Sequence, residues 1–165
     1  MDTLLTILTL GIVRFFIVHQ GNVRLVMKFG QYLSTAKPGM SACLSLWGMY
    51  QKPTEEIPTK EQMLAWPNET VFTSDGVQCN IQVVLWCTIT DPVKAKFAID
   101  DYEIAVKNAV RSILRNECGK RPMRALLSGR EEIQSNLKTV LERDAAPWGM
   151  DIRLVEMTNI NILNT

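Results

Sequence analysis

From residue 77 to 89 apolar side chains occupy every second position: Val77, Cys79, Ile81, Val83, Leu85, Cys87 and Ile89 share one face. Gln78, Asn80, Gln82 and Thr88 lie on the other, so the run predicts a long strand with one buried face. Val84 and Trp86 break the polar face, which predicts cover over its far end too. Val71-Phe72-Thr73 followed by Ser74-Asp75-Gly76 predicts that this strand is entered through a hairpin. Upstream, Val23, Leu25, Met27 and Phe29 alternate with Arg24, Val26 and Lys28, a half-buried strand closed by Gly30. Pro38-Gly39 marks a turn. Residues 43–49 read as a strand, and residues 57–66 as another, whose Pro58 suits a sheet edge.

After Asp91-Pro92 the period changes. Aspartate is a good N-cap and proline is tolerated in the first helical turn, so a short helix through Ala98 follows. A longer helix follows Asp100-Asp101, with Tyr102, Ala105, Val106, Ala109, Val110, Ile113 and Leu114 at three- and four-residue steps, and Gly119 stops it. Pro122 restarts a short helical piece through Leu127. Ser128-Gly129-Arg130-Glu131 has the spacing of a capping box, ahead of Ile133, Leu137, Val140 and Leu141 on one stripe. Pro147 ends that helix, and residues 150–163 return to a strand. The order predicts an α+β fold, a largely antiparallel sheet with packed helices. It is strand-rich over 19–90, helical over 91–147, and closed by the final strand.

Residues 3–13 (TLLTILTLGIV) carry no charge, Arg14 interrupts, and Phe15-Phe16-Ile17-Val18 continues the apolar run. As a helix, residues 3–18 would be about 24 Å long against a hydrocarbon core of about 30 Å, a marginal span. A secretory signal fits poorly, since no Lys or Arg precedes the stretch and no small-x-small site follows it. Residues 1–18 are therefore expected to be a hydrophobic membrane anchor, with residues 19–163 as the folded body. The anchoring side chains are Leu4, Leu5, Ile7, Leu8, Leu10, Ile12, Val13, Phe15, Phe16 and Ile17. Asp2 before the segment and Arg14, Arg24 and Lys28 after it favour a cytoplasmic body.

Composition changes this picture little. The 165 residues carry 18 Lys+Arg against 17 Asp+Glu, a balance that excludes a generally basic nucleic-acid binder. Cys43, Cys79, Cys87 and Cys118 match no zinc or redox spacing and read as buried or half-buried free thiols. His19 is the single histidine and reads as a loop or strand-end residue. No phosphate-cradling glycine loop or nucleophile elbow is present, and the adjacent pairs Glu55-Glu56 and Glu131-Glu132 have diverging side chains. No catalytic residue, metal or cofactor is expected.

Several short motifs carry a resemblance. They begin with Gly21, Lys28-Phe29-Gly30, Lys37-Pro38-Gly39, Glu61-Gln62-Met63-Leu64 and the run from Val71 through Asp75-Gly76-Val77. Asp91-Pro92, Ala105, Leu114-Arg115, Leu126-Leu127, Arg130-Glu131-Glu132-Ile133, Trp148-Gly149-Met150 and Val155-Glu156 follow in order. In this order and spacing the chain resembles the SPFH family (stomatin, prohibitin, flotillin and bacterial relatives), nearest its stomatin-like branch. The resemblance implies an SPFH domain behind a hydrophobic anchor. It also implies a non-enzymatic, oligomeric membrane scaffold that organises microdomains and regulates channels or membrane proteases. Two departures stand out. The stretch from Glu117 to Arg124 is more basic than usual for that branch, and stomatin-like proteins continue past Thr165 into a long helix or coiled coil.

From residue 107 to 130 stand seven basic residues (Lys107, Arg111, Arg115, Lys120, Arg121, Arg124 and Arg130) and one acid, Glu117. Lys107, Arg111 and Arg115 stack on one helix face, where like charges repel by a few tenths of a kcal/mol per pair, on the order of 0.2–0.5. Three readings stay open for this stripe: a solvated face, attraction to anionic lipid, or contact with Asp100, Asp101, Glu142 and Asp144 of a neighbouring copy. The last is head-to-tail and able to close into a ring. Nucleic acid is excluded as a partner, since no aromatics interleave with the cluster. The alternative function is a peripheral module whose apolar N-terminus docks on a partner protein rather than in lipid.

Overall fold

The computed structural model describes residues 13–44 and 51–162. They form two compact units divided between Lys60 and Glu61.

In the first unit, β1 (Val13–Val18) pairs antiparallel with β4 (Gly39–Leu44) as a two-stranded ribbon. A second sheet has β2 (Asn22–Lys28) at its centre, flanked by β3 (Gln31–Ala36), β5 (Gln51–Pro53) and β6 (Ile57–Pro58). β3 is a strand the sequence pattern did not single out. β2 and β3 are joined by a two-residue turn, Phe29-Gly30, with Lys28 opposite Gln31. Both turn residues have positive φ (48° and 84°), the twist that two-residue hairpins favour, and this is why a glycine follows Phe29. Phe16, Val18, Val26 and Cys43 form a buried cluster, with Ala36 packed against it.

Residues 13–18, expected as the end of the hydrophobic anchor, form strand β1. Val-Arg-Phe-Phe-Ile-Val is β-branched and aromatic, and its alternation buries Phe16 and Val18 in the cluster. Val13, Phe15, Phe16 and Ile17 are therefore strand residues. Leu4, Leu5, Ile7, Leu8, Leu10 and Ile12 lie outside the described residues, as does most of the strand expected over 43–49. Among the described residues, no helix is long and apolar enough to cross a membrane.

In the second unit the long strand is β9 (Gln78–Ile89). One of its edges pairs with β10 (Met150–Ile162); the other pairs in turn with β7 (Gln62–Ala65) and β8 (Glu69–Phe72). All pairings are antiparallel, as the α+β order implied. The face of Cys79, Ile81, Val83, Leu85, Cys87 and Ile89 is fully buried. β10 changes phase: Met150 and Ile152 are buried, then Val155 and Met157, because its register shifts between Ile152 and Leu154.

The helices are α1 (Pro92–Phe97), α2 (Tyr102–Gly119), α3 (Met123–Ser128) and α4 (Arg130–Ala145), with a 3₁₀ turn over Ala146–Trp148. α2 buries Val106, Val110, Leu114 and Cys118; α4 buries Ile133, Leu137, Leu141 and Ala145, each at four-residue steps. α2 packs on β8 and α4, and α4 on β10. The capping box expected at Ser128 is not formed. Ser128 ends α3 and donates its hydroxyl to the Arg124 carbonyl, and Gly129 begins α4 without a side-chain cap.

Several motif residues turn out to be structural knots. Asp75 accepts the Met123 N–H at 3.1 Å and is bonded by the Thr73 hydroxyl, fastening the β8–β9 hairpin to the start of α3. Asp91 caps α1 by accepting from the Val93 and Lys94 N–H groups. The Gly149 carbonyl accepts from the Thr90 and Asp91 N–H groups and the Thr90 hydroxyl.

Candidate functional site

The basic stripe on α2 is held together by an acid from another element. Arg111 donates through Nε to Glu69 Oε2 at 2.8 Å and through Nη2 to Glu69 Oε1 at 2.6 Å, a fork on β8. Hydrogen bonding to Arg111, with the positive field of Lys107 and Arg115, holds the Glu69 carboxyl below its usual range despite partial burial. The expected repulsion along the stripe is thus relieved by a carboxylate 42 positions away. Arg111 thus has an acid partner within its own chain.

The remaining charges sort the same way. Arg121 donates to both carboxylate oxygens of Glu132, at 3.1 and 2.9 Å, and it and Lys120 lie 3.6 Å from Glu117. Lys107, Arg115, Arg124 and Arg130 have no ion-pair partner among the described residues. Arg115 lines a pocket of about 290 Å³ with Thr70, Val71 and Phe72. Of the expected acids, Asp101 caps α2 through the Glu103 and Ile104 N–H groups, Glu142 pairs with Lys138 and Asp144 with Arg143. Asp100 is exposed. Within one chain none of these acids meets Lys107, Arg111 or Arg115 in an ion pair.

The ribbon of the first unit has two unlike faces. Register places Val13 opposite Leu44, Phe15 opposite Ala42 and Ile17 opposite Met40, six apolar residues on one side. Ile17, Met40 and Leu44 are 54%, 75% and 49% exposed. The other side carries Arg14, Phe16, Val18 and Cys43, three of them buried. Single large exposed hydrophobics need no explanation, but a whole strand-pair face does.

Beside the ribbon lies a polar hub that the sequence pattern did not reveal. Glu56 bonds His19 Nδ1 at 2.9 Å, accepts from Asn22 Nδ2 and pairs with Arg24 Nη2 at 3.1 Å. These bonds, His19's foremost, hold its carboxyl down at about 2. Arg24 shares the face of Val26 on β2, and its guanidinium carbon stands 5.8 Å from the centre of the Phe16 ring. Its Nε is, among the described residues, the one buried side-chain nitrogen or oxygen without a hydrogen-bond partner. A buried unpaired donor costs about 1–3 kcal/mol. Spacing gave no signal for this hub, because Arg24 and Glu56 meet across 32 positions.

All four cysteines are free and buried, and burial pushes Cys87 up to about 11 and Cys118 to about 12, so both stay protonated at neutral pH. No group of three or more His, Cys, Asp or Glu among the described residues could hold a metal ion.

The model of the SPFH domain / Band 7 family matches residues 16–164 of this sequence. The chain belongs to this family. Among relatives, an uncharacterized protein of Methanocaldococcus jannaschii is 28% identical over 93% of this chain and 79% of its own length. A stomatin-like protein of Caenorhabditis elegans is 26% identical over 88% of this chain and 44% of its own. A stomatin homolog of Pyrococcus horikoshii is 23% identical over the same share of this chain and 53% of its own. The chain thus spans about half the length of the stomatin-type relatives it matches. The SPFH match covers β1 from Phe16 and the ribbon, hub and helices described above.

Proposed function

We propose that the chain acts as a non-enzymatic, membrane-associated scaffold of the stomatin type. It assembles into oligomers, organises membrane microdomains and regulates membrane-protein partners such as channels or membrane proteases. The observation that carries this reading is the uniformly apolar outer face of the β1–β4 ribbon. That face adjoins in sequence the uncharged residues 3–13. Lipid is the occupant that matches both, with the body on the cytoplasmic side. Settling on a bilayer would remove Ile17, Met40 and Leu44 from water, at about 25 cal/mol per Å² of apolar area buried.

Assembly is assigned to the cations of α2 that have no ion-pair partner among the described residues. Lys107 and Arg115 face Asp100, Asp101, Glu142 and Asp144 of the next copy, head to tail, and Arg111 and Glu69 stiffen the helix between them.

Vesicle flotation of the full chain tests the membrane reading. The wild type floats with phosphatidylcholine vesicles, and Ile17→Asp/Met40→Asp remains folded by circular dichroism but stays in the soluble fraction. A wild-type chain that does not float overturns it.

A further inference from the structure

We propose that the first unit carries a phosphate-binding pocket beside β1, fitted to the phosphate of an anionic phospholipid headgroup. The inference rests on the membrane reading above for its ligand source and stands on separate residues. A pocket of about 310 Å³ is lined by Arg14, His19 and Arg24, with Phe15, Ile17 and Pro53 as apolar wall. That volume is at the small end of ligand sites, about 300–1,000 Å³. Residues of β1 from both its faces line it, and none of β4 does.

Its charge is unbalanced. Glu56 answers Arg24 through Nη2 alone, whereas Arg14 has no ion-pair partner among the described residues. The contrast with Arg111 is direct: there Nε and Nη2 both meet one carboxylate, and here Nε of Arg24 is buried with no acceptor among the described residues. A tetrahedral oxyanion supplies an acceptor for this guanidinium, and a second arginine stands beside it to share the charge. Phe15 and Ile17 belong to, or border, the apolar outer face of the ribbon, so the basic wall begins where the apolar face ends. A phospholipid presents that sequence of chemistry: acyl chain, then phosphate.

The test uses the full chain with three probes: inorganic phosphate, phosphatidylcholine vesicles, and the same vesicles with phosphatidic acid added. Arg14→Gln is the informative variant, because Arg14 is exposed and its loss leaves the Glu56 hub intact. Arg124→Gln, an exposed cation in the second unit, is the control for general surface charge.

Phosphatidic acid should tighten vesicle binding of the wild type, and Arg14→Gln should weaken that increment about five-fold, the effect of roughly one lipid-facing cation. Arg124→Gln should leave it unchanged, and inorganic phosphate should raise the melting temperature of the wild type but not of Arg14→Gln. A phosphate effect that depends on Arg14, with a vesicle increment that does not, keeps the pocket and makes free phosphate its ligand. Equal losses of the vesicle increment in Arg14→Gln and Arg124→Gln, or no Arg14-dependent response to phosphate, overturn it. If the wild type binds neither vesicle, the membrane reading has failed, and the phosphate measurement alone decides for or against the pocket.

Discussion

Arg111 and Glu69 meet as a fork, with two hydrogen bonds of 2.8 and 2.6 Å between α2 and β8. The pair ties the middle of the basic helix to the sheet it packs on. It explains how Lys107, Arg111 and Arg115 stand one turn apart without splitting the helix from its neighbours. It also makes Arg111 a poor probe of assembly, since reversing its charge sets two acids against each other inside one chain.

Two outcomes follow for that pair. Glu69→Gln lowers the urea midpoint, because Arg111 then keeps a neutral acceptor in place of a carboxylate and the field of Lys107 and Arg115 is uncompensated. Glu69→Gln/Arg111→Gln loses clearly less than the sum of the single variants, since each removes the same fork. Lys107→Gln/Arg115→Gln, in contrast, lowers the midpoint less than Glu69→Gln does and reduces particle size in detergent. Strict additivity at 69 and 111 would show that the fork contributes nothing.

Elements governed by local periodicity were legible in the sequence. The β9 alternation, the α2 stripe and the Asp91 and Asp101 caps all lie where spacing and capping chemistry place them. What escaped was set by partners distant in the chain. Residues 13–18 look like the end of an apolar anchor until β4 arrives to pair with them, and Arg24 looks like solvent-facing polarity until Phe16 and Glu56 surround it. Gln31–Ala36, with its polar alternation and exposed face, gives no burial signal at all. Ser128 had the right spacing for a cap, but the preceding helix claimed it. The apolar ribbon face is visible only once register puts Ile17 beside Met40.

Gly149 should be intolerant of any side chain. Its φ is +70°, and a Cβ there would lie 2.5 Å from the Asp91 carbonyl oxygen and 2.7 Å from the Asp91 Cβ. The oxygen is backbone and has no rotamer into which to retreat. Gly149→Ala is expected to destabilise by more than about 1 kcal/mol, through left-handed strain together with displacement of Asp91. Asp91→Ala removes only the cap, at about 1 kcal/mol. Thermal unfolding ranks the two, and a Gly149→Ala variant as stable as the wild type would show that the Gly149–Asp91 approach relaxes freely.

Acid should loosen the first unit through Glu56. Its carboxyl titrates at about 2 against an ordinary value of 4.5, because the His19, Asn22 and Arg24 bonds all favour the ionised form. A carboxyl whose folded value is depressed takes up its proton more readily in the unfolded chain. The stability it confers is therefore fully present above about pH 4.5 and drains away as pH falls towards 2. Urea midpoints measured from about pH 6 down to this range should fall for the wild type. Glu56→Gln starts lower at the upper end, because Gln neither attracts Arg24 nor offers two anionic oxygens to its three partners, and its midpoint changes less across the same interval. Parallel pH profiles for wild type and Glu56→Gln would mean that other carboxylates carry the acid sensitivity, and that the His19–Asn22–Arg24 arrangement adds nothing to folding.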